Sequence, residues 1–215
     1  MTSAAYSATE EIASSIIHGI GIVLSIAGLA VLAARAGPAG EARQIASVGV
    51  YGTTLILLYT ASTLYHSVSI ERAKPVLRQL DHAAIFLLIA GTYTPFTLIT
   101  LHGVWGWTLF GIVWALALVG IALVMKRVEK RGLVIALYVG LGWIGLLAIG
   151  PLVEKLPAGG LWLVFGGGVC YTLGVPFYLW NRLPFNHALW HLFVLGGSIL
   201  QFFAVLLYVL PPATV

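Results

Sequence analysis

The sequence predicts an all-α integral membrane protein, a bundle of seven transmembrane helices. Three observations predict it. Hydrophobic residues make up 60% of the chain and charged residues only 8%, whereas a soluble domain carries roughly 25% charged residues to coat its surface. Apolar runs long enough to cross about 30 Å of hydrocarbon, roughly 20 residues each, occur seven times along the 215 residues. The runs are continuous and lack the in–out alternation of a barrel strand, so each satisfies its backbone as a helix. The whole chain, 1–215, reads as one continuous membrane domain.

The first run covers about 12–34. Residues 1 to 11 hold no Lys or Arg, so the positive n-region of a cleaved signal peptide is missing and this run is expected to stay as a helix. The second run covers about 44–68 and the third about 79–101, the latter containing Pro95. The fourth, about 104–125, opens on Trp105 and Trp107. The fifth and sixth, about 132–151 and 160–179, are interrupted by Gly and Pro, including Pro176. The seventh covers about 187–210. Gly19, Gly21 and Gly28, Gly166 to Gly168, and Gly196 with Gly197 are expected to let helices approach closely in lipid. Trp105, Trp107, Trp162, Trp180 and Trp190 stand near run ends, as an interfacial aromatic belt requires. Cys170, the sole cysteine, excludes an intrachain disulfide and reads as a small packing residue.

Loop charge predicts orientation. Eight basic residues (Arg72, Lys74, Arg78, Lys126, Arg127, Lys130, Arg131 and Arg182) fall on one side, and three (Arg35, Arg43 and Lys155) on the other. The positive-inside rule then places the N-terminus in the cytoplasm and Pro211 to Val215 outside. The expected location is the inner (plasma) membrane, with lipids as surroundings and partners. The net charge of +4 is spent on orientation, so no nucleic-acid partner is implied.

Ionisable side chains within spans are functional-site candidates. Six of the seven acids sit in predicted tails or loops; Asp81, the only aspartate, opens the third span. A carboxylate there is expected to cap the helix. Of the six histidines, His18, His66, His82, His187 and His191 fall toward the cytoplasmic side, and only His102 toward the outer side. His187 and His191 are four apart, as are Ser62 and His66, so each pair shares a helix face. His82 follows Asp81 directly and points roughly 100° away around the helix. Two histidines from one helix, one from another and a nearby carboxylate suit a tetrahedral zinc site with one position open for water. The plainer alternative, half-wetted interfacial histidines, is expected for His102, His18 and His82.

The chain resembles the hemolysin III family, the bacterial branch of the progestin and adipoQ receptor superfamily that includes the adiponectin receptors. The resemblance rests on Ser62-x-x-x-His66, Leu80-Asp81-His82 and His187-x-x-x-His191. It also rests on the stretch from Leu80 to Phe96, and on Glu11-Ile12-Ala13 with His18-Gly19-Ile20-Gly21. It implies a seven-helix fold with zinc near the cytoplasmic face, held by His66, His187 and His191. Asp81 would hold the water and Ser62 would support it or the substrate oxygen. The superfamily is associated with ceramidase-like lipid-amide hydrolysis, and the bacterial branch with haemolysis and membrane-lipid homeostasis. Only about eleven residues precede the first span, which speaks against hormone-type receptor signalling. A zinc-dependent hydrolase of lipid amides is therefore the leading expectation. The alternatives are a membrane-state sensor with structural zinc, and a pore or transporter. For the last, Thr53, Thr54, Thr94 and Gln201 are the only polar residues that hint at a path.

Overall fold

The computed structural model describes residues 7–37, 41–127 and 131–210. Among them, seven helices are long and apolar enough to cross a membrane. They are α1 Ala8–Ala36, α2 Ala42–Ser67, α3 Lys74–Leu101, α4 Gly103–Met125, α5 Gly132–Lys155, α6 Ala158–Leu179 and α7 Asn186–Val209. The chain is thus a multi-pass membrane protein. Lys130 and Pro211 to Val215, used above for orientation, lie outside the described residues.

α1 begins before the apolar run because Ser7 caps it. The Ser7 hydroxyl accepts from the Glu10 amide, and the Glu10 carboxylate accepts from the Ser7 amide at 2.9 Å, a reciprocal capping box. Glu10 and Glu11, read from sequence as tail residues, therefore form the first helical turn, where the dipole favours negative charge. His18 consequently lies about three turns into α1, deeper than the sequence suggested.

α3 likewise starts early, at Lys74 with Pro75 at the first positions, where a proline costs no hydrogen bond. Asp81 sits about two turns inside and cannot cap the helix. Hydropathy missed this because the first turns carry Lys74, Arg78 and Gln79. After Pro95, α3 continues as a π-helical turn, Phe96–Leu101, since proline donates no amide to the ladder. α5 runs past the predicted end at 151 to Lys155, passing from α-helix to a 3₁₀ stretch at Ile144–Ala148 and back.

The most extensive contacts join α6 to α7, α1 to α2 and α2 to α3, and α1 also meets α7. Close approach depends on missing side chains. A Cβ on Gly21 would stand 2.5 Å from the Tyr59 ring, and one on Gly197 would meet Tyr171 at 2.6 Å. Gly19 differs from the expectation: nothing lies within 4 Å of its Cβ position. Trp105, Trp107, Trp162 and Trp180 are exposed near helix ends, as an aromatic belt requires. Trp190 is not part of it; it packs over Gly174 in the bundle.

Candidate metal centre

α2, α3 and α7 are the most enclosed helices, with 50%, 56% and 39% of their apolar windows buried against 22% or less for the rest. The predicted site residues stand on these three. His66 is on α2, one turn after Ser62; Asp81 is on α3; His187 and His191 are on the first turns of α7. All five are buried.

The three histidines converge. Each offers a ligand nitrogen, and these atoms lie within 4.8 Å of one another. The His66 ring centre is 4.9 Å from both His187 and His191, and the last two are 4.5 Å apart. Zinc–nitrogen bonds of about 2.0–2.1 Å at tetrahedral angles put donors roughly 3.4 Å apart, so small ring movements would bring this set onto one ion. The donor chemistry fits as well. His66 Nδ1 faces the Glu11 carboxylate at 2.5 Å, and His191 Nδ1 faces the Ser14 carbonyl at 3.3 Å. With Nδ1–H held by oxygen, metal ligation falls to Nε2, the arrangement that orients histidine ligands in metal sites. The buried cluster of His66, His187 and His191 could therefore hold a metal ion.

Asp81 shares a cavity of about 50 Å³ with His187 and His191, and His18 and His82 line it too. The buried Ser62 hydroxyl, one turn before His66, has no hydrogen-bond partner among the described residues. His82 Nδ1 turns to the Arg78 carbonyl at 2.8 Å and stands 3.7 Å from Asp81. It lines the cavity without joining the three-histidine set. His102 is exposed at the far end of α3, away from the cluster.

His18 departs from its expected interfacial place. It is 3% exposed, and its ring stacks on His191 at 3.6 Å with 7° between planes. Neither of its nitrogens has a hydrogen-bond partner among the described residues. Glu11, Ser14 and His18 stand at i, i+3 and i+7, one face of a helix. That spacing was the available signal for α1's part in the site. The cavity shares Leu58, Ile85, Tyr138, Val175, Trp190 and Val194 with a larger, mainly apolar cavity of about 170 Å³ that reaches toward Leu101 and Gln201.

A family model described as Haemolysin-III related matches residues 6–202. The chain belongs to this family. It is 49% identical to Hemolysin-3 of Bacillus cereus over 208 residues, covering 95% of this chain and 94% of that protein. It is 46% identical to the Hemolysin-3 homolog of Bacillus subtilis over 200 residues, 93% and 94% of the two chains. The human monocyte to macrophage differentiation factor is 28% identical over 208 residues, 93% of this chain and 84% of that one. The Haemolysin-III-related assignment thus covers the first six membrane helices and α7 as far as residue 202, and the three histidines belong to the matched stretch.

Proposed function

We propose that this haemolysin-III-related protein is a zinc-dependent membrane hydrolase that cleaves lipid amides and so adjusts membrane-lipid composition. The observation that carries the reading is the adjacency of two cavities. The small cavity holding Asp81, His187 and His191 shares six wall residues with the apolar cavity. A lipid chain would fill the apolar part while its amide carbonyl reaches the polar end. That polar end faces the cytoplasm in the orientation argued from loop charge, with the N-terminus inside and the C-terminus outside the plasma membrane.

His66, His187 and His191 would hold the ion. Bound zinc supplies a Lewis acid and acidifies water at neutral pH. Asp81 accepts the proton of the attacking water and returns it to the leaving amine. Ser62 donates its hydroxyl hydrogen to the oxygen on which charge develops. The apolar wall from Leu58 to Val194 excludes bulk water and aligns the chain.

The test is zinc content and release of fatty acid from a lipid-amide substrate by detergent-purified protein, wild type beside Asp81→Asn. The reading expects both proteins to carry zinc and only the wild type to turn over. Full turnover by Asp81→Asn would remove its assigned role. Zinc in both with no cleavage of any lipid amide would favour the second reading, a sensor in which the ion locks helices together. The supporting observation for that reading is that the ligands come from two of the most enclosed helices. A pore is less well supported: Thr54, Thr94 and Gln201 each donate to a backbone carbonyl and do not mark a path.

A further inference from the structure

The first three turns of α1 reach His66, His191 and the start of α7. Glu10 Oε1 accepts the amide of Phe185 at 2.7 Å. Phe185 is the left-handed residue (φ 56°) on which α7 starts, two positions before His187. The Ser14 carbonyl meets His191 Nδ1, and His18 stacks on the same ring. The most developed of these contacts is at Glu11. Its two carboxylate oxygens are divided between His66 Nδ1, at 2.5 Å, and Lys74 Nζ, at 2.9 Å. Lys74, the first residue of α3, also donates to the Tyr65 carbonyl at 2.7 Å and lies 4.7 Å over the Tyr65 ring. The His66 side chain has no exposed surface, while Glu11 and Lys74 keep 21% and 29% of theirs. A clamp of three helices thus encloses the back of one imidazole.

We infer that Glu11 is a positioning residue for the metal centre, holding His66 as the tautomer and ring orientation that present Nε2 to the ion, with Lys74 anchoring the carboxylate. The inference rests on the metal reading above. A carboxylate behind a ligand histidine fixes its orientation and raises its donor strength, and loss of such a partner costs 10–100-fold in metal affinity. Lys74 matters for geometry. Its bond to the second oxygen leaves the Glu11 carboxylate one direction in which to face His66. It also holds the carboxylate against rotation toward water at the membrane surface. Both charges lie close together, which lowers the cost of keeping either near the apolar core.

The experiment uses full-length protein in detergent: wild type, Glu11→Ala, Glu11→Gln and Lys74→Met. Zinc affinity is read by competition with a chromophoric chelator, and ligand-field geometry by the visible spectrum of the cobalt-loaded protein. Thermal melting of each metal-free protein reports folding separately. Glu11→Ala is expected to bind zinc about 10–100-fold more weakly and to show an altered cobalt spectrum. Glu11→Gln, which keeps an oxygen to accept from Nδ1–H, is expected to recover the wild-type spectrum and part of the affinity. Lys74→Met is expected to lose less than Glu11→Ala. A purely structural Glu11 would lower the metal-free melting point while leaving affinity and spectrum unchanged, and that outcome overturns the inference alone. Wild type that binds neither zinc nor cobalt overturns the metal reading, and the inference with it.

Discussion

α1 and α5 face lipid to a similar degree, with 22% and 17% of their apolar windows buried, yet they are held in opposite ways. α1 is one unbroken helix whose first turns are tied by side-chain hydrogen bonds to α2, α3 and the start of α7. α5 changes helical type in its middle, and its Tyr138, Gly142, Trp143, Gly145 and Lys155 hydrogen-bond to α3 and α6. Tyr93 of α3 spans the break: its hydroxyl donates to the Gly142 carbonyl at 2.7 Å and accepts from the Gly145 amide at 2.9 Å. Lys155 closes the end of α5 on the Leu101 carbonyl at 2.8 Å, and Tyr138 donates to the His82 carbonyl. The difference teaches that lipid exposure does not measure a helix's part in function. α1 frames the candidate metal site with polar contacts concentrated at one end, whereas α5 walls both cavities and is stitched along its length.

The largest effect that can break this comparison belongs to the ligand helix on which α1 closes. His187→Ala with His191→Ala should abolish zinc binding altogether, from about one ion per chain to none by mass spectrometry, and remove the rise in melting temperature that added zinc gives the wild type. Next is the α1–α2 contact. Gly21→Leu would drive a side chain into the Tyr59 ring, and overpacking of this kind costs about 1–3 kcal/mol. Reduced thermal stability with weakened zinc binding is expected, because Tyr59 packs edge-on against His18 at 5.0 Å. Retained zinc affinity in a destabilised protein would detach α1 from the site.

On the α5 side, Tyr93→Phe leaves the Gly142 carbonyl and the Gly145 amide without this partner, a loss of about 1–3 kcal/mol. Thermal melting should fall while zinc affinity stays at the wild-type value; a parallel drop in affinity would mean that the two helices are not separately coupled. The smallest effect is expected at Gly19→Ala. Open space surrounds its Cβ position, so the change should be neutral or stabilising by up to about 1 kcal/mol through helix propensity. Melting of Gly19→Ala beside Gly21→Leu compares a lipid-facing glycine with a packing glycine on one helix.

Most of the helices were legible because span length is a one-dimensional property: apolar runs show directly where lipid replaces water as solvent. The i, i+4 spacing likewise brought His187 and His191 to one face before any tertiary contact was known. Helix starts were less legible. Capping at Ser7 and the early proline at Pro75 carry α1 and α3 beyond their apolar runs, and polar first turns are invisible to hydropathy. For that reason Glu10 and Glu11 read as tail and Asp81 as a cap.

The sequence by itself determined that this protein is a seven-span membrane bundle of the haemolysin-III-related family, and it singled out His66, His187 and His191. Only the tertiary structure decided that α1 supplies what stands behind those histidines: Glu11 on His66, the Ser14 carbonyl and the His18 ring on His191, and Glu10 at the start of α7. The physical reason is that a ligand pair on one helix is fixed by local helical geometry. A carboxylate behind an imidazole 55 positions away in the chain depends on how two helices rotate against each other, and that rotation is set by packing.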